Sequence, residues 1–130
     1  MKGPAKKVTI INETKATIPK VAFDAIKDEM LGADYELSLV IASPAQIKQL
    51  NLIYREKNSP TDILSFPLSK DEGEMFICPA ETKLEAKKFG RSYENFFAFL
   101  FIHGCAHLKG YDHGVTMENI EKKTRRRFRI

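Results

Sequence analysis

No stretch of this chain is both long and apolar enough to cross a bilayer. The longest run without a charged residue, 95–108, is interrupted by two histidines and falls short of the roughly 20 apolar residues a spanning helix needs. The N-terminus, MKGPAKKVTI, lacks the apolar core of a secretory leader. Cysteine is scarce: Cys78 and Cys105 form no CxxC pair, so reduced thiols are expected rather than a disulfide framework. Internal repeats and low-complexity linkers are absent as well. These absences point to a soluble, cytoplasmic protein with no membrane partner. At 130 residues, 43% of them hydrophobic, the chain can bury one core, and 1–130 is expected to be a single catalytic domain with residues 1–7 flexible.

Acidic residues are missing from one place in particular. Residues 122–130, KKTRRRFRI, hold six of the 21 Lys and Arg and none of the 17 Asp and Glu. That leaves 15 basic against 17 acidic residues, a net of −2, for residues 1–121. A basic tail of this kind suits a polyanion, which makes Arg125, Arg126, Arg127 and Arg129 candidate RNA contacts. The same residues could simply complement the dipole at the end of a last helix.

What is present reads as alternating strands and helices. VTIIN (8–12) alternates and is β-branched, as a strand does. Residues 18–31 have apolar groups at helical spacing, with Pro19 in the first turn, and Gly32 stops them. YELSLVIA (35–42) is a second strand; 43–56 opens with Ser43 as N-cap and Pro44 at N1, then continues as a helix. A third strand at 63–68 and a hairpin partner at 74–78, taken as a sheet edge, follow the turn at NSPTD. A short helix at 80–88, a helix at Tyr93–Lys109 that is apolar on nearly all sides, and a polar helix at 116–127 complete the chain. This β-α-β-α-β order implies two right-handed crossovers between parallel strands. The expected fold is α/β (α+β), a mixed, roughly four-stranded sheet packed by helices around a central buried helix.

All three histidines fall in HGCAHLKGYDH (103–113). His103 and His107 are one helical turn apart on one face, about 6 Å along the axis. Gly110 can take positive φ and fold the chain back so that His113 supplies a third nitrogen. Three imidazoles and an open fourth position are the ligand set of catalytic zinc, although imidazole also suits other first-row transition metals. One ion per chain is expected. Cys105 points away from the pair and reads as a small buried residue.

The residue after the first histidine is Gly104, where a metzincin peptidase carries the glutamate that takes a proton from water. A peptidase would need another base, for which Glu74 is the candidate. RNA cleavage is less demanding, because a metal can stabilise phosphoryl charge and the ribose 2′-OH is an internal nucleophile. A third possibility is a non-catalytic RNA- or ribosome-binding module stabilised by zinc. Upstream, Arg55 offers a planar fork for a phosphate. Phe66 could stack a base but fits a core position better, Asp62 reads as a turn residue ahead of a catalytic one, and Asp112 could orient a neighbouring imidazole or be a surface turn residue.

HGCAHLKGYDH resembles the H-G-x-x-H-L-x-G-Y-D-H signature of the YbeY family of ribosomal-RNA maturation endoribonucleases. LNLIYREKNSPTDILSFPL (50–68) resembles that family's second segment, L-N-x-x-Y-R-x-K-D-x-P-T-D-V-L-S-F-P. The resemblance is strong over 45–114. It implies a zinc- or other metal-dependent endoribonuclease specific for single strands, acting in the 3′-end maturation of small-subunit rRNA and in ribosome quality control. Its partners would then be single-stranded RNA, rRNA and the small ribosomal subunit, with no DNA expected. Carried over by position, it makes His103, His107 and His113 the metal ligands and Arg55 the catalytic arginine across the cleft.

Overall fold

The computed structural model describes residues 5–130. Its elements are β1 (Thr9–Asn12), α1 (Phe23–Leu31), β2 (Glu36–Ile41), α2 (Pro44–Arg55), β3 (Ile63–Ser69), β4 (Glu72–Ile77), α3 (Pro79–Lys88), α4 (Tyr93–Lys109) and α5 (Val115–Phe128). The sheet has the order β1-β2-β4-β3. β1 and β2 are parallel, β2 and β4 are parallel, and β3 runs antiparallel to β4. This is the mixed four-stranded sheet and single α/β domain expected from the sequence. Among the described residues no helix is long and apolar enough to cross a membrane. Of the segment expected to be flexible, residues 1–4 lie outside the described residues. The Lys6 backbone N–H donates to Ala33 O at 2.8 Å.

Three expectations are corrected. β4 is central, not an edge, and the connection through α2 does not set β3 parallel beside β2: the β3–β4 hairpin turns back and inserts β4 between them. The physical reason is in the two strands. Pro67 in β3 has no N–H to give an outer neighbour and tolerates an edge. β4 buries Gly73, Met75, Phe76 and Ile77, using both of its faces. The first helix also starts at Phe23 rather than at residue 18. Ile18 and Val21, partly buried, pack on the core from a segment that is neither helix nor strand, and Pro19 between them is buried. Their helical spacing is met without helical hydrogen bonds.

The core sits mainly on one side of the sheet. Leu37, Leu39, Ile41, Met75 and Ile77 face α4, which buries Phe97, Phe101, Ile102 and Cys105. Phe23 of α1 meets Phe97 and Phe101 edge-on, at centroid distances of 6.0 and 4.9 Å. A smaller cluster under α2, with Val40, Ile47, Leu64 and Phe76, covers the other face. α4 approaches the sheet closely because Gly104 has no side chain. A Cβ there would lie 2.5 Å from Met75 Cε and 2.9 Å from Ile63 Cδ1. A glutamate at 104 would have to displace both.

Candidate metal centre and its cleft

The histidines meet because α4 ends where it does. Ser92 caps its start, its side chain accepting from Asn95 N–H. Gly110 stops it with φ of 104° in the left-handed region, its N–H donating to His107 O at 2.9 Å while Tyr111 N–H donates to Ala106 O at 3.1 Å. The chain then turns back before α5, returning His113 to the pair on the helix. His103 Nε2 and His107 Nε2 are 3.1 Å apart. One nitrogen from each of the three rings lies within 4.8 Å of the others, an arrangement that could hold a metal ion. Two ring nitrogens aimed at each other at that distance need a shared proton or a shared cation between them.

The electrostatics favour a neutral His107. Burial lowers the affinity of His107 for a proton, and repulsion from His103 and His113 adds to this, against an opposing pull from Glu121 and a hydrogen bond to the Tyr111 backbone. A neutral imidazole is the form that ligates a metal. On its far side, His103 Nδ1 lies 2.6 Å from Glu121 Oε1. Glu121 is only 8% exposed, and its other oxygen lies 3.9 Å from Arg125 Nη1. A carboxylate on Nδ1 fixes the tautomer that leaves Nε2 free to bind. Glu121 was not among the residues read from the sequence as functional. The signal was there: Met117, Glu121 and Thr124 form the buried stripe of α5, and an acid within the stripe of a strongly basic helix is an anomaly. Asp112, next to His113, is exposed.

The opposite wall comes from distant sequence. A cleft of about 510 Å³ is lined by the three histidines, by Arg55 and by the segment from Thr61 to Pro67, including Phe66. Arg55 is the last residue of α2. Glu56 takes the left-handed conformation with φ of 57° after it, and buried Asn51 donates from Nδ2 to Ser59 O at 2.9 Å, which ties down the loop leading to Thr61. Arg55 has no carboxylate partner among the described residues, so its guanidinium is available to an anion in the cleft. Asp62 lines the cleft too, and burial, reinforced by Glu85, raises the pKa of its carboxyl above the ordinary carboxylate range. Its backbone carbonyl accepts from Cys78 N–H at 2.9 Å, extending the β3–β4 ladder by one pair. Phe66 packs against Tyr54 at 5.0 Å and Phe76 at 5.9 Å.

The remaining sequence-derived candidates lie elsewhere. Glu74, the candidate peptidase base, lines a separate cavity with Tyr54 and Leu68 and not the histidine cleft. None of the four tail arginines lines the cleft. Arg125 lies with its guanidinium 4.7 Å from the centre of the Phe99 ring, Arg127 pairs with Glu29 at 2.7 Å, and Arg126 and Arg129 are exposed. Cys105 is fully buried and its thiol is pushed well above its ordinary pKa by desolvation, in keeping with an inert core residue.

Comparison with known proteins converges on one family. A family model described as Endoribonuclease YbeY matches residues 3–128. A protein named Endoribonuclease YbeY from Pseudoalteromonas translucida (strain TAC 125) is 42% identical over 100 residues, covering 68% of this chain and 66% of the relative. One of the same name from Finegoldia magna is 34% identical over 125 residues, covering 87% and 82%. The chain thus spans about two thirds of the length of several curated relatives it matches. The solution structure of TM1509 from Thermotoga maritima superposes with a TM-score of 0.66 at 28% identity, covering 90% of this chain and 85% of that one.

Proposed function

This chain belongs to the YbeY endoribonuclease family, and from that premise we propose that it is a metal-dependent endoribonuclease that cuts single-stranded RNA. The observation that carries the reading is one cleft with three convergent imidazoles on one wall and an unpartnered guanidinium among the residues facing them. The finer reading follows the family: the substrate is the 3′ end of small-subunit rRNA, the ribosomal subunit is the partner, the role is maturation and quality control, and the site of action is the cytoplasm.

The donor set fits a first-row ion, with His103, His107 and His113 as ligands and zinc the first choice for three neutral nitrogens. When bound, such an ion supplies Lewis-acid stabilisation of charge on a phosphoryl group. The protein's own groups do the rest. Glu121 holds the His103 ring in orientation through Nδ1. Arg55 binds a phosphate oxygen and is placed to meet the charge that grows as the phosphodiester is attacked. Asp62, with its carboxyl protonated more readily than an exposed one, can hold a proton at its oxygen within the cleft. Phe66 offers a ring edge at the cleft wall against which an unpaired base can rest. Gly104 leaves no peptidase base beside the histidines, and the space a glutamate would need is taken by Met75 and Ile63.

The test is incubation of metal-analysed protein with single-stranded RNA, duplex RNA and unfolded polypeptide, with and without chelator. Chelator-sensitive cleavage of single-stranded RNA alone is the expected result. Cleavage of the polypeptide, or of no substrate by metal-loaded protein, would overturn the reading.

A further inference from the structure

The stripe of α4 that carries His103 continues away from the metal centre as an aromatic and cationic ridge. One turn before His103 lies Phe99, and one turn before that Phe96 and Asn95. Phe99 stacks on Phe96 with centroids 5.4 Å apart and planes 11° apart, and Phe96 stacks on Phe89 at 5.4 Å and 15°. Phe96 is buried, whereas Phe89 is 63% exposed and ends the array with an open ring.

Two guanidinium groups gather at Phe99. Arg91, from the turn after α3, and Arg125, from α5, each place the guanidinium carbon 4.7 Å from its ring centre. Arg91 is held by Asn95 Oδ1 and Arg125 leans on Glu121. Asn95 is uncharged, and the single Glu121 carboxylate offsets only one of the two positive charges. Two like charges are thus held at one ring from separate elements, and an anion bound to them would relieve their repulsion. The ridge meets the metal centre through Glu121, which lies 3.9 Å from Arg125 with one oxygen and reaches His103 with the other.

We propose that this ridge is a subsite for single-stranded RNA beyond the metal cleft, in which a phosphodiester seats on Arg91 and Arg125 and an unpaired base stacks on the open face of Phe89. The inference rests on the endoribonuclease reading and adds to it where the strand runs. A single strand is the form that fits, since a duplex buries its base faces and has none to give to Phe89.

The experiment compares oligonucleotide length. Binding of nuclease-resistant 2′-O-methyl oligonucleotides of twelve and of three nucleotides to the metal-loaded protein is measured by fluorescence anisotropy across a salt series, for wild type, Phe89→Ala, Phe89→Trp, Arg91→Gln and Arg91→Lys. Metal content and melting curves are recorded beside them. Phe89→Ala and Arg91→Gln should each weaken the twelve-mer by about tenfold and the three-mer, which is short enough to sit in the cleft, by less than about twofold. Arg91→Gln should also flatten the slope of log K against log salt by about 0.7, which Arg91→Lys should largely restore. Phe89→Trp should bind at least as tightly as wild type. Twelve-mer affinities within about twofold of wild type in folded, metal-loaded Phe89→Ala and Arg91→Gln would overturn the subsite while cleavage by wild type left the endoribonuclease reading standing; the ridge would then be a protein-binding or purely packing feature. A wild-type protein that neither binds nor cleaves either length would remove the premise, and the subsite with it.

Discussion

The segment from His103 to His113 and helix α5 lie against each other, yet they build the site in opposite ways. The first brings its three rings together by local means: a helical turn, a left-handed glycine and a short return. The second contributes by facing several neighbours at once. Glu121 turns to His103, Arg125 to Phe99, and Arg127 to Glu29 on α1. Ligation here is encoded by spacing along one stretch of chain. Orientation and charge placement are encoded by packing between elements.

If that contrast is right, breaking the local unit has the largest effect. His107→Ala should abolish tight metal binding, because two imidazoles do not hold a first-row ion firmly at neutral pH. His107 is partly exposed, so the fold should survive. Elemental analysis of the purified variant checks this, and full occupancy would show that the three rings are not the ligand set. Next in size is the far wall. Arg55→Glu should keep metal and fold and lower cleavage by about a hundredfold or more, since a carboxylate replaces a donor aimed at phosphoryl charge. Arg55→Lys should fall between, keeping the charge and losing the fork. Cleavage at the wild-type rate by folded, metal-loaded Arg55→Glu would place the arginine outside the chemistry.

Glu121→Gln tests the orienting contact of α5. It keeps the shape and removes the charge that fixes the His103 tautomer, so metal affinity should fall by roughly ten- to a hundredfold. Competition with a chromophoric chelator measures this directly. An unchanged affinity would leave Glu121 as a packing residue of α5. A smaller effect comes from pH in the metal-free protein. The pKa of His107 lies below its ordinary 6.5 in the folded chain because of burial and its two histidine neighbours, so protonation favours the unfolded state. Its contribution is fully present above 6.5 and is lost as pH falls from there through the lowered folded value. The comparison of melting temperatures with His107→Gln isolates the histidine from other acid-sensitive groups. Equal acid sensitivity of the two proteins through that window would contradict the assignment.

The same contrast explains what could be read in advance. The histidine spacing, the stop at Gly110, the cap at Ser43 and the buried α4 are short-range features, and each is visible in consecutive residues. The place of β4 was not, because a hairpin inserted between β2 and β3 differs from an edge only in which strands lie beside it; Pro67, which cannot pair outward, was the overlooked clue. The start of α1 differs because apolar spacing reports burial and not hydrogen bonding, and Ile18 and Val21 are partly buried against the core without a helix. Glu121 was missed because its partner lies 18 residues away on another helix. Arg91 and Phe89 had no local pattern at all, since only the packing of α3 and α5 on α4 brings two guanidinium groups to Phe99.

The smallest effects lie in the arginines at the end of α5, where composition suggested one basic patch. Helical geometry spreads neighbouring residues around the axis by about 100° each, so consecutive arginines cannot share one face. Arg127 has its side chain 69% exposed and is spoken for by Glu29; such a surface pair contributes at most about 1 kcal/mol. Arg127→Gln should therefore lower the melting temperature by no more than a few degrees and leave RNA affinity unchanged. Arg126 and Arg129 are exposed and have no carboxylate partner among the described residues. If they touch RNA, reversing both charges should leave stability unaltered and flatten the slope of log K against log salt by about 1.4, roughly 0.7 for each lost contact to a single strand. Measuring the two variants side by side separates a stabilising cation from a binding one. A double reversal that melts earlier while its salt slope matches wild type would show that the tail serves the helix and not the RNA, and the ridge around Phe99 would then be left to guide the strand without it.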